Sequence, residues 1–199
     1  MAVKTDREYR SFALENIETK SENEEYIVEG YAALFDAPYV LFTDEEGRNY
    51  NEDISSKAFE SADMSDIVFL YNHEGMVYAR LKNGTLEVTP DEKGLHIRAN
   101  LGSTKASREV FDAIKTGLVD QMSWAFTIDA DEYDKKTRTR TITSVRKVYD
   151  VSAVSIPANP ATSISARDYF NGVIEAEQAE RLERERKQKL LELKIKLEA

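Results

Sequence analysis

The predicted fold rests on a stretch that reads Leu118-Val119-Asp120-Gln121-Met122-Ser123-Trp124-Ala125-Phe126-Thr127-Ile128. We interpret it as a strand that carries Ser123. Residues 103–117 before it are the clearest internal helix, since they open on a serine and end at Gly117, a residue suited to a helix C-terminus. A polar hairpin loop is predicted at 129–137. The strand is therefore expected to lie inside a larger sheet.

Other predicted elements surround this strand. They are two strands within 9–36 with a turn at 19–25, an irregular stretch at 36–53, a short helix from Ser55 or Ser56 to Ser61, strands at 66–72 and 94–101, a type I′ hairpin turn at Asn83-Gly84, and strands near 140–149 and 151–156. Strands outnumber helices in this order. We therefore predict an α+β fold with a mostly β core, barrel-like or sandwich-like, and a few helices.

The last segment of the chain has a different composition. From Asp168 onward, β-branched residues give way to Glu, Arg, Lys and Leu, with opposite charges four residues apart. This pattern predicts a helix of about 25 residues. Its middle is almost wholly charged, so it cannot be buried along its length and is expected to dock on another chain or project into solvent. We divide the chain into a domain at 1–166 and a C-terminal helical extension at 167–199.

Composition excludes several classes of function. The chain has 27 Lys and Arg against 37 Asp and Glu, a net charge of −10, which argues against a duplex nucleic-acid surface. It has no cysteine, so disulfides, thiolate chemistry and cysteine zinc sites are excluded. No apolar stretch approaches the ~18 residues of a membrane span. We expect neither membrane insertion nor a classical secretion signal.

A base, a nucleophile and an acid occur in the order His73, Ser123, Asp150. A serine hydroxyl is a poor nucleophile unless an imidazole lies within hydrogen-bond reach and a third polar group holds that imidazole. The chain has only two histidines, and His73 follows an apolar run at 67–71 that would deliver it to a sheet edge or cleft mouth. Four other acids compete with Asp150 for the third position: Glu74, Asp129, Asp131 and Asp134.

Each candidate residue also has a simpler structural interpretation. A strand-end histidine and a half-buried strand serine are common, and His96 lies in an alternating strand where a solvent-facing position is expected. An oxyanion hole needs backbone N–H groups or an arginine-ordered water, and three arginines are candidates: Arg138, Arg140 and Arg146. The aspartates at 129, 131 and 134 could form a weak cation site or a charged hairpin tip. The phosphate-loop, dinucleotide and His-Glu-x-x-His motifs are absent.

Several short sequence motifs, taken in order, resemble those of the HK97-type phage prohead protease family. They are Gly30-Tyr31-Ala32-Ala33-Leu34-Phe35-Asp36, Lys57-Ala58-Phe59, Tyr71-Asn72-His73-Glu74, Gly94-Leu95, Met122-Ser123-Trp124-Ala125-Phe126, and Asp150-Val151-Ser152-Ala153-Val154-Ser155-Ile156-Pro157-Ala158-Asn159-Pro160-Ala161. The resemblance runs from about Phe12 to Ala166. Each motif is short, but the order and spacing of all six together are specific to the family.

The resemblance implies a barrel similar to herpesvirus assembly proteases and a serine endopeptidase activity. Ser123 would be the nucleophile and His73 the base. The acid before Val-Ser-x-Val aligns with the family's third member, which implies Asp150 in that role, although the herpesvirus relatives use a second histidine. No cofactor or metal is expected.

The resemblance also implies partners and a location. The expected substrates are the scaffolding segment of a phage major capsid protein and the enzyme itself, and the expected location is the immature capsid, or prohead, in the host cytoplasm. We expect a homo-oligomer that binds neither nucleic acid nor membrane. The rival hypothesis is a non-catalytic capsid scaffold or assembly-interaction protein that keeps the fold and binds through its charged helix.

Overall fold

A computed structural model describes residues 7–13, 18–22, 25–155 and 164–198 of the 199-residue chain. The elements are β1 (Glu8–Ala13), β2 (Glu18–Glu22), β3 (Glu25–Leu34), β4 (Tyr39–Thr43), β5 (Asn49–Ile54), β6 (Val68–Tyr71), β7 (Glu74–Arg80), a 3₁₀ turn (Leu81–Asn83), β8 (Leu86–Pro90), β9 (Gly94–Asn100), α1 (Lys105–Lys115), β10 (Gln121–Asp134), β11 (Thr139–Val154) and α2 (Ile164–Glu198). The predicted positions of Leu14, Ile17, Pro157 and Pro160 lie outside the described residues.

The strands form two sheets. The larger has the order β1-β10-β11-β5-β4, and the smaller has the order β2-β3-β9-β8. The long strand β11 also pairs in parallel with β6, which continues into its antiparallel neighbour β7. The predicted α+β class with a mostly β core and a C-terminal helix is confirmed. As described, the two sheets are not closed into a barrel.

Strand β10 organises the main core through its alternation. Met122, Trp124 and Phe126 are fully buried in the largest apolar cluster, and the rings of Trp124 and Phe126 stack with centroids 3.7 Å apart. Successive side chains of a strand point to opposite faces, so Ser123 and Ala125 lie on the other face of the sheet. One strand thus supplies both the core and the surface that holds the predicted nucleophile.

The internal helix is confirmed with small changes at its ends. Thr104 caps α1, because its side chain accepts a hydrogen bond from the Ser107 backbone N–H, so the helix begins at Lys105. Its apolar side buries Val110 and Phe111 in the main core. Gly117, with φ of +73°, leaves the helix in the left-handed region that glycine favours.

Three predictions in the first third of the chain are wrong. The stretch at 36–53 is not irregular, because it forms β4 and β5. The sequence pattern does not indicate a strand here, because β5 buries a charged residue, Glu52, beside Tyr50 and Ile54. The expected helix after Ser55 is only a series of turns, and much of the turn expected at 19–25 is strand β2.

The predicted hairpin turns are also misplaced. Only Gly84 of the Asn83-Gly84 pair has a positive φ, where it ends a 3₁₀ turn, and β8 pairs with β9. The loop expected at 129–137 is shorter, because β10 continues to Asp134 and pairs with β11 from Thr139. The two strands predicted after it are one strand. Cross-strand pairing extends these strands through segments whose local sequence is polar.

Helix α2 is longer than predicted, at 35 residues from Ile164. Near its start Phe170 is fully buried in a second apolar cluster with Leu41 and Tyr50. Farther along, Lys135 at the β10–β11 turn binds Glu180 at 2.8 Å. Beyond that contact Leu190 and Leu191 are about 60% exposed. Of the described helices, none has the length and apolar character needed to cross a membrane.

Candidate active site

His73 lies in the tight turn between β6 and β7. Asn72 and His73 have φ values of +55° and +61°, the positive pair that defines a type I′ two-residue hairpin turn. Asparagine adopts this region more readily than most residues, and its side-chain oxygen here accepts from the backbone N–H of Ser155 at 2.9 Å. A type I′ turn is thus present at the candidate base, where we predicted none, and absent at Asn83-Gly84, where we predicted one. A histidine in this conformation marks a candidate functional position.

Strand register places Ser123 and Asp150 on one face of the large sheet. Ser123 of β10 pairs directly with Ser152 of β11, and Asp150 lies two residues before Ser152 on the same strand. Residues two apart in a strand share a face, and directly opposed residues do too. Because β6 runs parallel to β11 beside these residues, the turn after β6 ends next to them.

The three predicted residues meet through two hydrogen bonds. His73 Nε2 lies 2.7 Å from Ser123 Oγ, and His73 Nδ1 lies 2.6 Å from Asp150 Oδ1. In the tautomer with its proton on Nδ1, the imidazole donates to the carboxylate and its Nε2 can accept the serine proton. The arrangement can therefore make the hydroxyl a nucleophile and stabilise the imidazolium that forms.

Ser152 is a site residue to which our sequence analysis assigned no role. Its hydroxyl donates to Asp150 Oδ1 at 2.8 Å, and both side chains are buried. The carboxylate oxygen nearest the imidazole thus accepts a second hydrogen bond, which fixes its orientation. The signal for this contact is the spacing of Asp150 and Ser152, because an acid and a hydroxyl two residues apart in a strand share a face.

The site is partly exposed to solvent. Ser123 has no exposed surface, and the His73 side chain is 17% exposed. The Tyr9 ring of β1 lies edge-on to the imidazole, with ring centroids 4.8 Å apart. The nucleophile is thus covered by its neighbours, and the imidazole is the part of the site that solvent reaches.

A larger cleft lies elsewhere, away from these residues. It has a volume of about 690 Å³ and lies between α2 and the β10–β11 turn, lined by charged side chains that include Arg48, Lys135, Arg138 and Glu177. Neither Ser123 nor His73 contributes to it. We place the chemistry at the hydrogen-bonded residues, because this cleft contains no paired nucleophile and base.

The other candidate residues have different neighbours. Glu74 is exposed, Asp129 binds Arg146 at 2.6 Å, Asp131 binds Arg140 at 2.5 Å, and Asp134 accepts from the Lys136 backbone N–H at 2.8 Å. His96 lies 3.4 Å from Glu29 on the smaller sheet, at a half-buried position. Arg140 and Arg146 are thus engaged in ion pairs, and Arg138 lines the α2 cleft.

A buried ion cluster lies on the other face of the large sheet. It consists of Glu8, Arg10, Glu52 and Arg140, each at most 2% exposed. Arg10 Nη2 binds Glu52 at 2.8 Å and Glu8 at 2.5 Å, while Arg140 Nη1 binds the same two carboxylates at 3.0 and 3.1 Å. Burial alone would raise the pKa of Glu8, but Arg10 and Arg140 lower it to about 2. Through Arg10, the cluster fixes β1 to β5 and β11.

A hydroxyl, an imidazole and a carboxylate joined in this order, on an α+β scaffold, are typical of serine hydrolases. The comparisons with known proteins narrow this class. The profile of the caudovirus prohead serine protease family matches residues 12–174, and the chain belongs to that family. It is 27% identical over 168 residues to the prohead protease of Enterobacteria phage HK97. The aligned region covers 82% of this chain and 69% of that protein. No solved structure matches the chain.

Proposed function

We propose that Ser123, His73 and Asp150 are the catalytic triad of this prohead serine protease. The observation that carries the proposal is the unbroken chain of hydrogen bonds from Ser123 Oγ through both imidazole nitrogens to Asp150. Ser123 attacks the scissile carbonyl carbon while His73 Nε2 takes its proton. His73 then protonates the leaving amine, and a water activated by the same imidazole releases the acyl group.

We further propose that the substrates are the scaffolding segment of a phage major capsid protein and the enzyme itself. Membership of a prohead protease family supports a role in capsid maturation, and the HK97 relative carries the same description. Cleavage would then take place inside the immature capsid, which assembles in the host cytoplasm. The acidic chain, with a net charge of −10, is suited to contact with basic segments of a partner.

The third member of the triad can be tested by a matched pair of variants. Asp150→Asn should lower cleavage by up to about 10⁴-fold, because the amide cannot stabilise the imidazolium or hold the required tautomer. Glu74→Gln, one residue from His73, should remain close to the parent because Glu74 is exposed. The measurement is mass spectrometry of the capsid protein co-expressed with each variant. If Asp150→Asn were active and Glu74→Gln inactive, Asp150 would not be the third member of the triad.

We propose that the distal part of α2 recruits the protease to a helix of the capsid scaffold. Its exposed apolar side chains are typical of a helix that packs against another helix: Leu182, Leu190, Leu191 and Ile195. Recruitment would raise the local substrate concentration without changing the catalytic residues. The proposed domain boundary at 166/167 does not suit a truncation, because Phe170 is buried against Tyr50.

The recruitment proposal predicts that truncation after Arg184 lowers incorporation into proheads several-fold while cleavage of a short peptide is unchanged. The double substitution Leu190→Ala and Leu191→Ala should have a similar effect, since alanine keeps the helix but removes the apolar contact. Incorporation is measured as the ratio of encapsidated to free enzyme, in forms that all carry Ser123→Ala to prevent self-digestion. Peptide cleavage is measured separately, on the same full-length and altered forms with Ser123 retained. Equal ratios for full-length and altered forms would exclude the recruiting role.

A further inference from the structure

Ser11 is an unexplained hydroxyl beside the candidate nucleophile. Among the described residues, four buried side-chain polar atoms have no hydrogen-bond partner: Ser11 Oγ, Trp124 Nε1, Thr127 Oγ1 and Tyr133 Oη. An unpaired buried polar group is destabilising, so each such group requires an explanation. Ser11 differs from the others by its position, because it pairs directly with Ser123 across β1 and β10.

The register places three serines in one row on one face of the sheet. Ser11 of β1 opposes Ser123 of β10, which opposes Ser152 of β11. On the β11 side, the flanking residue Ser152 already donates to Asp150, and the nucleophile itself is bonded to His73. On the β1 side the Ser11 hydroxyl is the group that faces the nucleophile with an unused donor.

We propose that the Ser11 hydroxyl donates a hydrogen bond to the oxyanion of the tetrahedral intermediate, an inference that rests on the proposed role of Ser123. When Ser123 Oγ bonds to the carbonyl carbon, the π electron pair moves to the carbonyl oxygen and the serine proton moves to His73 Nε2. A donor must then lie about 3 Å from that oxygen. Opposed strand residues have Cβ atoms about 4.5–5.5 Å apart. The Ser11 hydroxyl is therefore close enough to donate to an oxygen on the carbon that Ser123 attacks.

The buried ion cluster explains how Ser11 is held in place. Arg10 precedes Ser11 and points to the opposite face, where it is fully buried and bound to Glu8 and Glu52. Together with the contacts of Arg140 to the same two carboxylates, these contacts fix β1 to β5 and β11, and with it the position of the Ser11 side chain. A donor that is positioned before the reaction needs no reorganisation when charge develops, which is the property that an oxyanion hole requires.

The test compares Ser11→Thr with Ser11→Val. The two replacements have the same shape, so they perturb packing equally, but only threonine keeps a hydroxyl. We expect Ser11→Val to lower kcat for a capsid-derived peptide about 10²-fold relative to Ser11→Thr, with KM within about twofold. Affinity for a peptide aldehyde, which forms a tetrahedral adduct with the nucleophile, should fall in parallel. Ser144→Ala, on β11 away from the row, is the control and should match the parent.

Two results would overturn the role of Ser11. The first is equal kcat for the valine and threonine variants. The second is a valine variant that weakens binding of an uncleaved peptide as much as binding of the aldehyde, because this would indicate general damage to the site. Failure of the proposed triad is distinguishable from both, since it appears as cleavage by a Ser123→Ala protein. Circular dichroism of each variant shows whether the fold is retained.

Discussion

Replacement of Ser123 by alanine is expected to abolish cleavage of the capsid protein and of the enzyme itself. The substitution removes one oxygen, the atom that lies 2.7 Å from His73 Nε2. Loss of a triad nucleophile costs about 10⁶-fold in kcat in the well-studied serine protease subtilisin. Co-expression with the capsid protein followed by mass spectrometry should therefore show both chains at full length. The parent enzyme in the same experiment should yield shortened products.

The fold of the Ser123→Ala protein should be unchanged. The packing of β10 is set by its other face, where Trp124 stacks on Phe126 and contacts Phe59. Its thermal unfolding midpoint should match that of the parent, which separates loss of chemistry from loss of structure. Normal processing in the presence of this folded variant would contradict the serine mechanism. It would favour the rival hypothesis that the protein is a non-catalytic assembly protein.

The sequence predicted the candidate site better than it predicted the sheet around it. His73, Ser123 and Asp150 each lie in a short sequence motif, and the structure brings all three together. The turn at His73 was not predicted, because a histidine at positive φ is uncommon and the nearby Asn83-Gly84 pair is the stronger local signal. Asn72 suits the first position of that turn, and the pairing of β6 with β7 holds His73 in the second.

The missed parts share one physical cause, which is contact between residues far apart in the sequence. Strand β5 was not predicted because Glu52 is polar, and its burial makes sense only beside Arg10 and Arg140. Ser11 was not predicted because nothing near it in the chain indicates that β1 pairs with β10. Hydrophobic periodicity identifies strands with one apolar face, and it fails where the buried face carries charges.

The buried ion cluster gives the largest expected effect on stability. The pKa of Glu8 falls from an ordinary value of 4.5 to about 2 in the folded protein, which corresponds to roughly 3 kcal/mol at neutral pH. Glu8→Gln should lower the free energy of unfolding by about that amount, because Arg10 and Arg140 then lose one of the two carboxylates that they share. For a chain of this size the thermal midpoint should fall by about 6–12 °C.

The pH dependence of stability distinguishes this effect from a simple loss of packing. Because the folded pKa of Glu8 lies below its unfolded value, its contribution is complete above about pH 4.5 and is lost as the pH falls towards about 2. Urea unfolding of the parent should therefore show stability that declines across this range, and Glu8→Gln should show a shallower decline.

The matched control for Glu8→Gln is Glu46→Gln, which breaks an exposed ion pair with Arg48 at 3.0 Å. Exposed pairs contribute little, so this variant should stay within about 0.5 kcal/mol of the parent at every pH. Equal losses for the two variants would show that the buried cluster contributes no more than a surface pair.

The cluster also fixes β1, the strand that carries Ser11. Glu8→Gln should therefore lower peptide cleavage as well as stability. Ser123, His73 and Asp150 should stay in place in this variant, because Glu8 lies on the face of β1 opposite Ser11.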